Sequence, residues 1–235
     1  MKLSIIIPVF NEEKTILEVL NKINELKIPK VQKEVIVVDD GSTDNSKLLI
    51  QNSNLPGFKK IFHEKNMGKG AAVRTGIENA TGNYIIIQDA DLEYDVNDIP
   101  RLFSHIDGER SVIYGTRLNR FPHLGGEERR FQFLTHYFGN RFLSLATSVL
   151  YGKWLTDMET CYKLFPRAAV QGIKLNSRRF DFEPEITSKL LKKGLKIKEI
   201  PIKTNPRGYE EGKKLNTFRD GSIALWSLIK YRFTD

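Results

Sequence analysis

Asp89, Asp91 and Glu93 place carboxylates at alternate positions directly after the apolar run Tyr84-Ile85-Ile86-Ile87. Carboxylates crowded in this way repel one another, by about 4 kcal/mol per pair at ~4 Å and an effective dielectric of roughly 20. A bound cation removes that penalty. Hard oxygen donors select Mg²⁺ or Mn²⁺, ions that keep open positions for substrate phosphates. The same pattern also suits an acidic turn that caps the next helix. A second acidic pair, Asp39-Asp40, closes another apolar run and precedes Gly41-Ser42. Further on, Asp157-Met158-Glu159-Thr160-Cys161 offers two more carboxylates as candidate bases or as partners of an arginine.

These groups need a scaffold that brings distant segments together. Leu3 to Val9, Glu34 to Val38, Lys59 to His63, Tyr84 to Ile87 and Ser111 to Thr116 read as strands, and most are the continuous β-branched runs of strands buried on both faces. Helical spacing separates them: Ile16, Leu17, Leu20 and Ile23; Leu48, Leu49 and Ile50 after Asp44; Ala71 to about Ala80; and Ile99, Leu102, Phe103 and Ile106. Asn11 is placed to cap the first helix, with Glu12 and Glu13 in its first turn. Strand–helix alternation over residues 3–116 predicts an α/β fold, a three-layer α/β/α sandwich with a mostly parallel sheet. Ligands of such sheets sit at the carboxyl ends of the strands, where both acidic pairs fall.

The turn Asn66-Met67-Gly68-Lys69-Gly70 precedes the third helix. It fits either a tight strand-to-helix connection or a phosphate contact at a helix N-terminus. It is not a P-loop, because Gly-x-x-x-x-Gly-Lys-[Ser/Thr] does not occur.

The pattern changes after Arg117. Phe121 to Gly126 reads as a loop and Arg129 to Leu150 as a long aromatic helix flanked by basic residues. Glu183 to Lys193 reads as a helix, Lys196 to Lys203 as a strand, Asn205 to Leu215 as a glycine-containing basic segment, and Gly221 to Phe233 as a last helix. The aromatic helices suit a core, a membrane interface, or both on different sides. No linker is evident, so residues 1–235 are expected to form one domain, with a first half (about 1–117) that carries the acidic pairs and a second half (about 118–235) that carries the aromatic helices.

Composition narrows the setting. The chain has 235 residues, 40% hydrophobic, and a net charge of +8. It is large enough for a sizeable core, and its charge favours polyanions: nucleic acid, anionic lipid or phosphorylated substrates. The one cysteine, Cys161, permits no internal disulfide, fits a reducing cytosol and reads as a small core residue. Pro8 and Asn11 interrupt the first apolar run too early for a signal peptide, and no run of roughly 18 apolar residues occurs.

Ile6-Ile7-Pro8-Val9-Phe10-Asn11-Glu12, Val37-Val38-Asp39-Asp40-Gly41-Ser42, Asn66-x-Gly68-Lys69-Gly70 and Gln88-Asp89-Ala90-Asp91-Leu92-Glu93 stand in the order and spacing of family-two inverting glycosyltransferases with the GT-A fold. The chain resembles their dolichyl-phosphate mannose synthase-like branch, which glycosylates polyprenyl phosphates. The second half resembles it more loosely, through Asp157 to Lys163, Arg207 and Glu211 to Leu215. Glu93 and the following Tyr94-Asp95-Val96 depart from the mannose synthases, which leaves the sugar open between mannose and glucose.

The resemblance implies a nucleotide-diphosphate sugar donor. Asp39 and Asp89 would bind the nucleoside, and Pro8, Phe10, Glu12 and Val37 would wall the base pocket. Lys69, Ala90, Asp91 and Arg117 would complete the donor site. Asp91 and Glu93 would hold Mg²⁺ or Mn²⁺. Asp89, Asp91, Arg117 and Asp157 are the catalytic candidates, and Arg117, Arg207, Lys213 and Lys214 are suited to an acceptor phosphate. These features predict a metal-dependent hexosyltransferase, peripheral on the cytoplasmic face of a membrane, with no nucleic-acid partner. Two other readings remain: a transferase that extends a cell-surface glycan, and a non-catalytic basic module on a membrane or nucleic acid. A nucleotidyltransferase would need an N-terminal Gly-Gly-x-Gly-type loop, which is missing.

Overall fold

The computed structural model describes residues 1–118, 131–205 and 217–234; the side chains of 131–133, 136, 217 and 218 are outside the description. In chain order the elements are β1 (Lys2–Val9), α1 (Ile16–Glu25), β2 (Gln32–Asp39), α2 (Ser46–Asn52), β3 (Phe58–Phe62), α3 (Lys69–Asn79), β4 (Tyr84–Ile87), α4 (Asp98–Ser104), β5 (Val112–Thr116), α5 (Phe131–Tyr151), β6 (Lys163–Pro166), α6 (Arg167–Val170), α7 (Phe182–Lys192), β7 (Ile197–Pro201) and α8 (Thr217–Phe233). The strands form one seven-stranded sheet in the order β3-β2-β1-β4-β6-β5-β7. It is parallel except for β6, which runs antiparallel to both β4 and β5. The expected α/β architecture, a mostly parallel sheet flanked by helices, is the one observed.

The core is built by the apolar runs. Ile5, Ile6 and Ile7 of β1, Ile36, Val37 and Val38 of β2 and Ile85, Ile86 and Ile87 of β4 are all fully buried. Each such side chain contributes about 1.5–3 kcal/mol relative to exposure. Ile16, Val19, Leu20 and Ile23 supply the buried stripe of α1, and Gly76 of α3 lets that helix lie against Ile6 with no room for a β-carbon. Pro8 is tolerated because the β4 ladder ends opposite Ile6, which leaves Pro8 paired on the β2 side alone.

The strand the sequence reading omits is β6. It is short, begins with Lys163 and ends with Pro166, so it lacks an apolar-run signature. Its direction matters more than its length. Ile86 pairs with Leu164 and Tyr84 with Pro166, so β6 begins where β4 ends. The residues just before it, 157–162, therefore land beside Gln88 to Asp91. On its other side Tyr114 pairs with Lys163, and the Gly115 amide donates to the Tyr162 carbonyl (2.8 Å), which brings Arg117 alongside Asp157.

Two local expectations are corrected. Asn11 does not cap α1, which starts at Ile16. Instead the Thr15 and Ile16 amides bond the Glu12 carbonyl, and Asn11 takes a left-handed conformation (φ 51°) with its side chain on Thr43. Helix α3 begins at Lys69, so the glycine-rich turn and the helix overlap. The predicted loop 121–126, Arg129, Arg130, Arg207, Lys213 and Lys214 lie outside the described residues.

Candidate active site

The carboxyl ends of β1, β2, β4 and β5 deliver Phe10 to Glu12, Asp39 to Ser42, Asp89 to Glu93 and Arg117 to one edge. Asp39 is fully buried; one oxygen accepts from the Ser42 amide (3.2 Å), and Oδ1 has no partner among the described residues. Asp40 is a scaffold residue. Its carboxylate accepts from the Met67 (3.0 Å) and Gly68 (2.7 Å) amides and lies 2.7 Å from Nδ1 of His63, whose Nε2 meets Thr75. This cluster ties β2, β3 and α3 together behind Asp39.

The glycines of the turn before α3 serve packing. Gly68 has φ +97°, and a β-carbon on it would stand 2.1 Å from the Arg178 carbonyl oxygen; one on Gly70 would stand 2.8 Å from that of Ser177. Ala71 donates its amide to the Arg178 carbonyl (3.3 Å). The first turn of α3 is thus covered by residues 177–179 rather than open to an anion. Lys69 is correspondingly placed inward. Its ammonium lies 2.9 Å from Asp89 and 3.3 Å from Glu183 at the start of α7, and 3.7 Å from Cys161 Sγ. Lys69 thus clamps Asp89 from this turn. Burial alone would raise the Asp89 pKa, but the neighbouring ammonium outweighs it and holds the carboxyl below its ordinary value. Lys69 is likewise kept charged, well above its usual pKa, by Asp89 against the cost of burial.

A second clamp holds Arg117. Asp157, fully buried, accepts from the Arg117 backbone amide (2.9 Å), Nε (2.8 Å) and Nη2 (2.8 Å). The amides of Thr156 and Asp157 donate in turn to Glu199 on β7. The guanidinium lies 5.9 Å from the centroid of the Tyr94 ring, whose hydroxyl accepts the Cys161 amide (3.0 Å). Burial opposes the charge on Arg117, but Asp157 more than compensates. Asp157 thus holds Arg117 in a fork geometry.

Asp91 and Glu93 remain partly exposed on the turn after β4, with Leu92 between them in a left-handed conformation (φ 61°) and the Glu93 amide donating to Asp91 Oδ1 (3.1 Å). Their oxygens are the hard donor type that Mg²⁺ or Mn²⁺ takes, and two protein ligands leave room for diphosphate and water. No group of three or more metal-ligating side chains occurs among the described residues. A cleft next to this turn is lined by Lys22, Glu93, Asp95, Asn97, Lys203 and Asn205, and the Asn205 amide bonds the Glu93 carbonyl (2.9 Å) just before the segment that carries Arg207.

Of the other expected donor contacts, Phe10 and Glu12 are partly exposed, Pro8 is buried, and Ala90 accepts the Thr15 hydroxyl (2.7 Å) through its carbonyl. Val37 is fully buried on β2, between β1 and β3. The sequence reading misses Glu183 and Lys163. Lys163 is fully buried, donates to the carbonyls of Met158 (2.9 Å) and Thr160, and lies 5.0 Å from the Tyr114 ring centroid. A lysine opening an otherwise apolar segment is the one signal that could have marked it.

Comparison with known proteins matches this arrangement. The sequence model described as "Glycosyl transferase family 2" matches residues 4–173. The chain is 26% identical to the glycosyltransferase AglJ of Haloferax volcanii, over 96% of this chain and 70% of that protein. It is 27% identical to the low-salt glycan biosynthesis hexosyltransferase Agl6 of the same organism, over 97% of this chain and 52% of that protein. It is 28% identical to the dolichyl-phosphate β-glucosyltransferase ALG5C of Trichomonas vaginalis, over 86% of this chain and 64% of that protein. The chain thus spans between 52% and 70% of these relatives' length. Among solved structures, glucosyl-3-phosphoglycerate synthase of Mycobacterium tuberculosis, crystallised with Mn²⁺, uridine diphosphate and phosphoglyceric acid, superposes with a TM-score of 0.74 at 19% identity, over 100% of this chain and 79% of that one. With more than half of its length matched by the family and the GT-A sheet behind its carboxylate edge, the chain belongs to glycosyl transferase family 2 and is a glycosyltransferase.

Proposed function

We propose that the protein transfers a hexose, mannose or glucose, from a nucleotide-diphosphate sugar to a polyprenyl phosphate of the dolichyl type, with inversion and with a divalent metal. The observation that carries this reading is the state of the two candidate bases. A sugar hydroxyl acceptor needs a group to take its proton. Asp157 is locked on Arg117, and burial, followed by the nearby Glu183 carboxylate, pushes the Glu159 pKa up to about 8, so it is mostly protonated, and not ready to take a proton, at neutral pH. A phosphate acceptor is already an anion and needs no base. The name of the Trichomonas relative supports the same acceptor and favours glucose. The name of Agl6 supports the other reading, extension of a glycan.

In the donor site, the orphan Oδ1 of Asp39 suits a nucleoside donor group, and Asp89, kept ionised by Lys69, suits hydroxyls of the ribose or sugar. Asp91 and Glu93 would hold Mg²⁺ or Mn²⁺, which supplies charge neutralisation at the leaving diphosphate. Arg117, with Arg207, Lys213 and Lys214 from outside the described residues, is assigned to the acceptor phosphate. Arg117 reaches it as a cation already oriented by Asp157. The test is a panel of nucleotide-sugars offered with a short-chain polyprenyl phosphate or with saccharides. Lipid glycosylation is expected; turnover with saccharides alone would refute the reading.

The acceptor implies a membrane surface. Phe138, Phe142, Leu145 and Val149 recur along α5 at helical spacing and are 57%, 57%, 49% and 75% exposed. Helix α8, packed against α5, exposes Trp226 and Phe233, and Trp154 follows α5. Exposed Lys153, Lys230 and Arg232 accompany them. Among the described residues no helix is long and apolar enough to cross a membrane. We assign this face to peripheral contact with anionic lipid, apolar groups entering the interface and cations meeting headgroups. The protein should cosediment with anionic vesicles at low salt and leave them at high salt. Equal sedimentation of a Phe142→Ser/Trp226→Ser double variant would contradict the assignment of this face.

A further inference from the structure

Four carboxylates and three cations meet behind the carboxyl ends of β4 and β5: Asp89, Asp157, Glu159 and Glu183 with Lys69, Arg117 and Lys163. Lys69 is taken by Asp89 and Glu183. Arg117 is taken by Asp157. Lys163 donates to the carbonyls of Met158 and Thr160. Among the described residues, Glu183 keeps its second oxygen, Oε2, without a hydrogen-bond partner, and Glu159 has no ion pair. The Oε1 of Glu159 is buried with no hydrogen-bond partner among the described residues, while the residue as a whole stays partly exposed. It stands two positions from the Asp157 that orients Arg117, on the segment that β6 delivers to the edge. An orphan buried carboxyl oxygen costs free energy, and such groups in a site point to a missing partner.

Building on the lipid-phosphate reading above, we infer that Glu159 contacts the acceptor phosphate as a neutral carboxylic acid, donating a hydrogen bond to it. An ionised Glu159 would repel the phosphate; the protonated form gains an O–H donor and loses the charge. Its surroundings favour the proton. Burial contributes most, then Glu183 on α7 and, more weakly, Asp157 on its own segment; Lys163 on β6 and Arg117 after β5 act the other way, and the balance leaves the pKa at about 8. Glu159 thus distinguishes a phosphate, which accepts its hydrogen bond, from a sugar hydroxyl that would need a base.

The test follows transfer to a short-chain polyprenyl phosphate between pH 7 and 9.5, a range above the acceptor's own second ionisation near pH 6. If only the protonated form binds acceptor, the wild-type acceptor KM rises about thirtyfold from pH 7 to pH 9.5, in proportion to the vanishing competent fraction. Glu159→Gln keeps a donor at every pH, so its KM stays flat across the range. Parallel pH profiles of KM in wild type and Glu159→Gln would overturn the inference. A second readout needs no turnover. A carboxyl whose pKa is raised by folding stabilises the protein fully below its unfolded pKa, near 4.5, and loses that contribution as pH rises toward 8. Glu159→Gln should therefore melt at a higher temperature than wild type at pH 8.5, and the gap should close toward pH 4.5. A gap independent of pH would place an ionised carboxylate at 159 and overturn the inference. Absence of transfer to lipid phosphate at every pH, with turnover on a saccharide, defeats the acceptor reading and this inference with it. Transfer with parallel profiles defeats the inference alone.

Discussion

Arg117→Ala is expected to lower stability by about 3–5 kcal/mol, the cost of stripping one partner from a buried ion pair. Asp157 is fully buried and accepts three bonds from Arg117, two of them from the guanidinium. Without the guanidinium, a carboxylate remains in the interior with one backbone donor. For a chain of this size the loss corresponds to roughly 6–20 °C in Tm. Asp157→Asn is expected to cost less, because the Arg117 side chain is 21% exposed and can turn its charge to water. The same asymmetry should appear in transfer. Losing Arg117 removes both a charge-assisted contact to phosphate, about 1.5–3 kcal/mol, and the group that Asp157 orients; losing the Asp157 charge removes the orientation alone. Thermal melts and steady-state rates for both variants decide the matter. A more damaging Asp157→Asn in rate would restore Asp157 as a base and contradict the phosphate mechanism, and one more damaging in Tm would contradict the assigned asymmetry of the ion pair.

Asp91→Ala should lower metal-dependent donor affinity by about 100-fold or more. Loss of a partner that merely orients a metal ligand already costs 10–100-fold, and Asp91 is assigned a direct bond. The fold should survive, since Asp91 is partly exposed and the hydrogen bond from the Glu93 amide to its side chain is worth only about 1 kcal/mol. Calorimetric titration of Mn²⁺ and donor into the folded variant provides the check. Donor affinity equal to wild type would remove Asp91 from the metal site.

The parts of this site that were legible in the sequence share one physical property: an apolar run long enough to be a buried strand, closed by a charged or polar residue. Asp39 after β2, Asp89 after β4 and Arg117 after β5 were placed on one edge by that rule and the parallel topology. Contacts that join segments far apart were not legible. Lys69 meets Glu183 across more than a hundred residues, and Glu199 supports Asp157 from β7; nothing in local spacing announces either pair. Strand β6 was hidden because it has only four residues, with two core hydrophobics, Leu164 and Phe165, between a buried lysine that donates to the Met158 and Thr160 carbonyls and a proline. The Gly68 and Gly70 positions were ambiguous for a related reason. Glycine serves close packing and anion binding alike, and the close approach of residues 177–179 is visible only in three dimensions. The aromatic helices were equally open, and α5 turned out to divide its faces, burying Tyr137 and Leu143 while exposing Phe138 and Phe142.

The measurement that tests the central claim most directly is identification of the product. The purified protein would be incubated with the accepted nucleotide-sugar, Mn²⁺ and a short-chain polyprenyl phosphate, and the lipid fraction characterised by mass spectrometry and by NMR of the anomeric centre. The account predicts one hexose joined to the lipid through a β-linked glycosyl phosphodiester, formed with metal and lost when metal is chelated. A hexose recovered on a saccharide hydroxyl with the lipid phosphate unchanged, or an α-linked lipid product, would contradict it.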